Sequence, residues 1–173
     1  MEPSELARFE AVVLPHLDAA YTLARYLTRN APDAEDVVQD ACLRALKYFN
    51  GFRGDAGTSA RAWLLAIVRN TAFSSVRRQA PDAVEFDEVQ HSGAVADEHP
   101  ETAVLRTAAK ETLGRALDRL APEFREVIVL RELEGLSYKE ISDVAGVPVG
   151  TVMSRLSRAR ARLQEALREE AGR

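Results

Sequence analysis

Arginine and hydroxyl side chains are concentrated in one stretch near the end of this chain of 173 residues. Residues 149–163 contain four arginines and no acid. Short hydroxyl groups suit phosphate oxygens and base edges, and an arginine can bind a guanine through two parallel hydrogen bonds. The stretch therefore predicts contact with DNA. The candidate contact residues are Val149, Gly150, Thr151, Met153, Ser154, Arg155, Ser157 and Arg158.

Two short helices around a tight turn would present these residues, and residues 137–163 have that pattern. Ser137 stands three residues before Glu140, the spacing of a capping box. Gly146 suits the left-handed end of a helix, and Pro148 suits the first turn of the next one. The second helix has apolar residues at helical spacing on its inward side, namely Val152, Leu156 and Leu163. The pattern predicts a helix-turn-helix. Because the cap, the turn glycine, the proline and the basic face all fit this motif, a merely solvated amphipathic helix is disfavoured.

A second basic helix is predicted to start after Thr58 or Ser59 and to continue to about Gln79. An aromatic ring beside a basic helical face suits a single strand, whose bases are unstacked and whose backbone needs neutralising. The candidate residues are Arg61, Trp63, Arg69, Asn70, Arg77 and Arg78. From the sequence alone, Trp63 could equally well stack on bases or anchor the helix in the core.

Two further helices complete the N-terminal part, one from about Glu5 to Arg29 with a kink at Pro15 and one from Pro32 to near Tyr48. The second of these helices has acids in its first turns, at Asp33, Glu35, Asp36 and Asp40. Carboxylates at a helix start favour the helix dipole, so an acidic helix turn is the simplest interpretation. A metal-hydrolase site fits less well, because no histidine or paired glutamate elsewhere completes it.

An acidic stretch separates the two basic regions. Residues 81–101 hold seven acids, two prolines and a glycine, with no lysine or arginine. Such a composition without an apolar period predicts a flexible linker. The chain is therefore predicted to be all-α, with two small helical domains at 1–79 and 101–173 and an acidic linker at 80–100. The formal net charge of −4 conceals this separation of charge.

The composition of the chain indicates where the protein is located and which kinds of chemical site it can form. No apolar run approaches the ~20 residues that span a bilayer, and the N-terminal residues include acids where a secretory signal would have bases. A cytoplasmic protein without membrane insertion is predicted. Cys42 is the only cysteine, which excludes an internal disulfide and fits a small core residue. His91 and His99 are a weak metal signal, so no metal, cofactor or catalytic residue is expected.

Three motifs, in this order, resemble one family over nearly the whole chain. They are DAEDVVQD at residues 33–40, WLLAIVRNTA at 63–72 followed by two arginines, and LAPEFREVIVLRELEGLSYKEIS running into VPVGTVMSRLSRARARL. The chain thereby resembles the extracytoplasmic-function branch of bacterial sigma factors, the initiation subunits of RNA polymerase. The acidic stretch stands where this branch lacks the intervening domain of larger sigma factors.

The resemblance implies roles for these residues. The helix with Asp33, Glu35, Asp36, Val38, Gln39 and Asp40 is similar to the surface that docks on the clamp coiled coil of core RNA polymerase, and the flap is a second expected contact. The loop 51–60 and the helix with Arg61, Trp63, Arg69, Asn70, Arg77 and Arg78 resemble the part that opens and reads the minus-ten promoter element. The helix-turn-helix corresponds to the reader of the minus-thirty-five element. Two positions depart from the family's pattern: many relatives have an acidic residue at the position of Ser74 and a basic residue at the position of Met153.

The resemblance further implies an anti-sigma factor that covers the polymerase-binding surfaces.

Two other function classes are open from the residues alone. A stand-alone helix-turn-helix regulator would need a receiver or ligand domain, and residues 1–79 have neither a βα pattern nor a pocket signature. An enzyme acting on nucleic acid would need a metal or nucleophile site.

Overall fold

The computed structural model describes residues 2–54, 59–79 and 100–173, and side chains in the last range from Val104 onward. Every regular element in these ranges is helical, which confirms the predicted all-α class. The acidic linker, with His91 and His99, lies outside the described residues, as does part of the loop 51–60. No helix in the described part of the chain is long and apolar enough to cross a membrane.

The N-terminal half has four helices. They are α1 (Pro3–Val13), α2 (Leu17–Thr28), α3 (Ala31–Tyr48) and α4 (Ala60–Gln79), with 3₁₀ turns at Leu14–His16 and Phe49–Gly51. The predicted kink at Pro15 is a break between α1 and α2, because proline supplies no N–H to an α-helical turn. Arg29 ends α2 in the left-handed conformation with φ 63°, and the Asn30 side chain then caps α3 by accepting from the Asp33 N–H at 3.1 Å.

The C-terminal half has four helices and one π turn. They are α5 (Pro100–Asp118), α6 (Pro122–Ile128), the π turn (Val129–Leu133), α7 (Tyr138–Ala145) and α8 (Val149–Ala171). Helix α5 includes Pro100, the last residue of the predicted linker. Pro148 was predicted in the first turn of the last helix, but it is the residue that precedes α8. Its φ of −60° suits a helix, whereas its ψ of 153° is extended, as at an N-cap.

Helices α7 and α8 form the predicted helix-turn-helix. Ser137 Oγ accepts from the Glu140 N–H, and the Glu140 carboxylate accepts from the Ser137 N–H, both at 3.1 Å. Gly146 follows α7 in the left-handed conformation, with φ 69°. Val152 and Leu156 are buried on the inward side of α8, as the apolar spacing predicted, and Leu163 packs half-buried against the core.

A continuous apolar core runs through both halves of the chain. Its fully buried side chains include Leu23 and Leu64 from the N-terminal half and Leu117, Leu130 and Leu156 from the C-terminal half. Helix α4 packs on α2 and α3 and also on α7, while α2 reaches α5 and α6. The two halves are therefore in direct contact. The sequence predicted two helical domains on a linker long enough for them either to fold together or to bind well-separated sites.

Two glycines of the helix-turn-helix provide a matched test of this backbone. A Cβ added at Gly146 or Gly150 meets no atom within 4 Å, so neither change creates a clash. Gly146→Ala should lower the free energy of unfolding by about 1 kcal/mol, because alanine is strained at φ 69°. Gly150→Ala, inside α8, should raise it by about 0.5 kcal/mol. Urea titrations followed by circular dichroism measure both, and equal effects would contradict the turn assignment.

Candidate nucleic-acid interface

The outward face of α8 carries most of the residues predicted to contact DNA. Exposed positions on this face are Val149, Gly150, Met153, Ser154, Ser157 and Arg158. They recur at intervals of three and four residues, so they share one side of the helix. Thr151 is half-buried, and its carbonyl accepts from Ser154 Oγ at 3.0 Å. The tight turn at Gly146 and the buried Val152 and Leu156 hold this face toward solvent.

Arg155 differs from its neighbours on α8. Its side chain is half-buried. Burial raises the pKa of Glu126 in α6, and the charge of Arg155 is one of the smaller effects that oppose this rise. Arg158, one turn further, is exposed. The two arginines were predicted as equivalent, and the structure places them in different surroundings.

Helix α4 holds its predicted residues in two groups. Asn70, Arg77 and Arg78 are exposed, while Arg61, Trp63 and Arg69 are half-buried. The Trp63 ring lies with its centroid 4.7 Å from that of Phe52 and 6.3 Å from that of Phe49. These contacts favour Trp63 as a core anchor, one of the two alternatives left open by the sequence.

The half-buried arginines of α4 face the C-terminal half of the chain. Arg69 Nε donates to Glu126 Oε1 at 2.6 Å, a short charge-assisted hydrogen bond. Arg61 donates to the Glu134 carbonyl at 3.2 Å and lies 3.4 Å from the Glu140 carboxylate. The same carboxylate accepts from Ser59 at 3.0 Å.

Ser59 and Glu140 therefore join the starts of two helices. Ser59 Oγ accepts from the Ala62 N–H at 3.0 Å at the start of α4, and Glu140 completes the capping box of α7. Hydrogen bonds from Ser137, Ser59 and Arg61 lower the pKa of the Glu140 carboxyl against the opposing effect of its desolvation. The first turn of α4 and the first turn of the helix-turn-helix are tied together at this carboxylate.

Glu126 is the most buried charged group of this contact. Its side chain has no exposed surface, and its Oε2 atom accepts no hydrogen bond from the described residues. Burial raises the pKa of Glu126 above its ordinary value, and the hydrogen bond and charge of Arg69 only partly oppose this rise. The carboxylate is thus held by one arginine at one oxygen.

Arg125, adjacent in sequence, is also buried. Its guanidinium donates to the Leu117, Leu120 and Tyr26 carbonyls at 2.9 to 3.1 Å, which ties α6 both to the end of α5 and to α2. Burial lowers the pKa of Arg125 to about 10, because desolvation disfavours its charged form. Sequence reasoning missed both Arg125 and Glu126. Their position beside the apolar run VIVL was the available signal, since charges beside such a run are buried with partners when the run is core.

Helix α3 presents the predicted polymerase-contact residues beside the end of α4. Asp36, Asp40, Thr71 and Arg78 are among the residues around a cavity of about 260 Å³ between the two helices. Glu35 and Gln39 are exposed, Asp33 is half-buried near the helix start, and Val38 packs against the core. The structure therefore brings the acidic group of α3 next to the basic end of α4.

Two family matches cover most of the chain. Residues 12–81 match the family described as Sigma-70 region 2, and residues 110–163 match that described as Sigma-70, region 4. The first match contains α2, α3 and α4, and the second contains the helix-turn-helix.

Known proteins of similar sequence are sigma factors. The RNA polymerase sigma-H factor of Pseudomonas aeruginosa is 36% identical over 169 residues, which cover 92% of this chain and 86% of that protein. The ECF RNA polymerase sigma-E factor of Escherichia coli is 36% identical over 150 residues, which cover 81% of this chain and 78% of that protein. A similar solved structure is the sigma factor RpoE in complex with the anti-sigma factor NepR from Bartonella quintana. Its TM-score is 0.76 at 31% identity, and the alignment covers 93% of this chain and 97% of that one.

The buried pair between Arg69 and Glu126 predicts an asymmetry between its two partners. Arg69→Met should lower the free energy of unfolding by about 3 kcal/mol, because it leaves a buried carboxylate without its cation. Glu126→Gln should be nearly neutral at low pH, because the buried carboxyl is then protonated and glutamine is also uncharged and of similar size. Urea titrations of both variants and of the wild type measure the difference.

The difference in stability between Glu126→Gln and the wild type should depend on pH. The pKa of Glu126 is raised in the folded chain, so its proton is bound more tightly there than in the unfolded chain. The stabilising contribution of protonated Glu126 is fully present at pH values below 4.5, the pKa of this carboxyl in the unfolded chain. It is lost as the pH rises through the raised pKa of the folded chain. The stability of Glu126→Gln relative to the wild type should therefore increase with pH above 4.5. A constant difference from pH 4 to pH 8 would contradict the burial of an ionisable Glu126.

Proposed function

Since the chain belongs to the extracytoplasmic-function sigma factors of the sigma-70 family, we propose that α8 and α4 read two separate promoter elements while α3 docks on core RNA polymerase. The exposed hydroxyl and arginine face of α8, held out by a capped helix-turn-helix, is the observation that carries this assignment. A stand-alone regulator is not favoured, because residues 12–81 match a sigma region rather than a receiver or ligand domain.

The upstream, minus-thirty-five element is assigned to α8. Its exposed contacts are Val149, Gly150, Met153, Ser154, Ser157 and Arg158, with Thr151 and Arg155 at the edge of this face. A recognition helix that enters the major groove reads bases through residues near its N-terminus, which is where these residues lie. Arg155 supports the face through its charge interaction with Glu126, and Arg158 is the better placed of the two for a base.

The minus-ten element is assigned to α4. Asn70, Arg77 and Arg78 are exposed in the free chain, and Arg61 and Arg69 supply further cations once their contacts with the C-terminal half are released. Arginines along one helix neutralise the backbone of a separated strand. Trp63 shapes this helix from the core through Phe49 and Phe52, so its role is to position α4.

The polymerase contact is assigned to the acidic face of α3. Asp36, Gln39 and Glu35 are exposed on it, Asp33 and Asp40 flank them, and Val38 anchors the helix to the core. An acidic face attracts a basic partner and fixes its register, which fits a contact with the clamp coiled coil. The flap is the proposed partner of the C-terminal half.

We further propose control by an anti-sigma factor, because the similar Bartonella quintana protein was solved in complex with one. The chain would act in the cytoplasm, where the polymerase and the promoter are, and as a binding factor rather than as an enzyme. Neither role calls for a metal or cofactor. Run-off transcription with core polymerase on genomic fragments tests the function and returns the promoter sequence. Absence of any factor-dependent transcript would reject it.

The role of Arg158 has a direct test. Arg158→Ala should weaken binding to the upstream element by about 1–3 kcal/mol and relax preference at one base pair if the side chain contacts a base. If it contacts a phosphate instead, affinity should fall evenly across sequences and the salt slope should decrease by about one. Arg168→Ala is the matched control, since Arg168 is exposed on the same helix about three turns further on. If Arg158→Ala and Arg168→Ala have the same affinity and the same salt slope, Arg158 does not contact the upstream element.

The docking role of α3 is tested by charge reversal. Asp36→Lys and Asp40→Lys should each weaken binding to core polymerase at least tenfold, because attraction to a basic partner becomes repulsion. Their thermal melts should stay near that of the wild type, because Asp36 is exposed and the ion pair of Asp40 with Arg44 lies at the surface. Glu10→Lys, on the exposed side of α1, is the control of equal charge change. Fluorescence titration against core measures affinity, and wild-type affinity in both α3 variants would refute the assignment.

A further inference from the structure

Two large apolar side chains lie on the outward face of α8, among the residues assigned to DNA. Val149 is 40% exposed and Met153 is 54% exposed. The other large apolar side chains of residues 149–163 point inward, since Val152 and Leu156 are buried and Leu163 packs half-buried against the core. In the described chain, the side chains of Val149 and Met153 therefore stay largely in contact with solvent.

Val149 and Met153 share one edge of this outward face. An α-helix turns by about 100° per residue, so positions four apart are nearly aligned, with their Cβ atoms ~5–6 Å from each other. By the same geometry Arg158 lies about 140° around the helix from Met153, and Ser154 and Ser157 lie between them. Across its width the face thus changes from apolar, through hydroxyl, to basic.

The apolar edge is open to close approach at the start of α8. A Cβ added at Gly150, next to Val149, meets no atom within 4 Å. Residues 149–163 contain no acid, so this stretch does not repel a phosphate backbone. The first turns of a recognition helix are also the part that reaches base edges in the major groove. A duplex bound by this face therefore comes within reach of Val149 and Met153.

The apolar edge fits one chemical group of the major groove. Phosphate oxygens and the nitrogen and oxygen atoms of the base edges need hydrogen-bond partners, and valine and methionine carry no strong donor or acceptor. Burying those polar atoms against an apolar side chain would cost binding free energy. The C5-methyl group of thymine is the apolar group that the groove presents. A methionine side chain is flexible and polarisable, so it can follow the position of that methyl group.

We propose that Met153, with Val149 beside it, contacts the C5-methyl group of a thymine and so specifies an A·T base pair at one position of the upstream promoter element. This inference rests on the proposed function, because it names a base that α8 reads. It assigns apolar readout to one edge of the face and leaves hydrogen-bonded readout to Ser154, Ser157 and Arg158. Met153 is thereby a specificity-determining residue rather than a general source of affinity.

The methyl group can be removed from the DNA without any other change. The probe is a duplex promoter fragment recovered by run-off transcription, in which the thymines of the upstream element are replaced by deoxyuridine one at a time. Deoxyuridine pairs with adenine as thymine does and lacks only the C5-methyl group. Fluorescence titration at fixed salt measures the affinity of holoenzyme that is reconstituted from core polymerase and the full chain.

Four variants of the chain accompany the wild type. Met153→Ala removes the thioether side chain and keeps a good helix former at this exposed position. Met153→Leu retains an apolar side chain of similar size. Met153→Arg places a guanine-binding group there. Leu105→Ala truncates an exposed apolar side chain on α5 and is the matched control for the loss of apolar surface.

One deoxyuridine should weaken binding of the wild type about three- to fivefold, as expected when one methyl group is lost from an apolar contact. The same substitution should leave the affinity of Met153→Ala unchanged, because its partner side chain is already absent. Met153→Leu and Leu105→Ala should keep the sensitivity of the wild type. Met153→Arg should prefer a G·C pair at that position, because arginine binds guanine through two hydrogen bonds.

Three results overturn the inference: an upstream element without an A·T pair, wild-type affinity that no deoxyuridine changes, or an equal deoxyuridine effect in the wild type and in Met153→Ala. Loss of affinity for core polymerase in Met153→Ala without any deoxyuridine effect would overturn it too, since the apolar edge would then bind a protein. All of these results leave the factor-dependent transcript of the wild type intact, whereas absence of that transcript rejects the proposed function instead.

Discussion

The structure depends on two adjacent buried charges, Arg125 and Glu126, at the contact between the halves. A buried charge is tolerated only when hydrogen bonds replace its lost hydration. Arg125 meets this requirement with three carbonyls, one of them from α2, and Glu126 meets it with Arg69 from α4. Because each charge finds a partner in the N-terminal half, the packing of the C-terminal half is coupled to the position of the N-terminal helices.

That coupling connects stability with function. Glu126 interacts with an arginine of each proposed promoter-binding helix: its carboxylate accepts a hydrogen bond from Arg69 on α4, and the charge of Arg155 on α8 has a weaker effect on it. Loss of Arg69 would leave the buried carboxylate without its hydrogen-bonded cation, which costs stability. The contact that stabilises the packing of the two halves therefore uses an arginine of a proposed promoter-binding helix.

Local structure was predictable from the sequence wherever a short-range rule decided it. The capping box of Ser137 and Glu140, the left-handed Gly146 and the break at Pro15 each depend on residues within one turn, and each is present. The inward face of α8 followed from its apolar spacing in the same way. Pro148 was predicted one position too far into the helix, because the sequence does not distinguish an N-cap from a first helical turn when φ is the same in both.

The sequence by itself determined the helices, the outward face of α8 and the motifs of the family, because these depend on neighbours at fixed spacing. Tertiary structure alone decided which arginines are available. Arg155 and Arg158 look equivalent in sequence, and so do Arg69 and Arg77, yet in each pair one is half-buried and one exposed. The difference arises from Glu126, which is 57 residues from Arg69 along the chain. Contacts between residues so distant are set by the packing of α6 against α2 and α8, which cannot be inferred from residues at fixed local spacing.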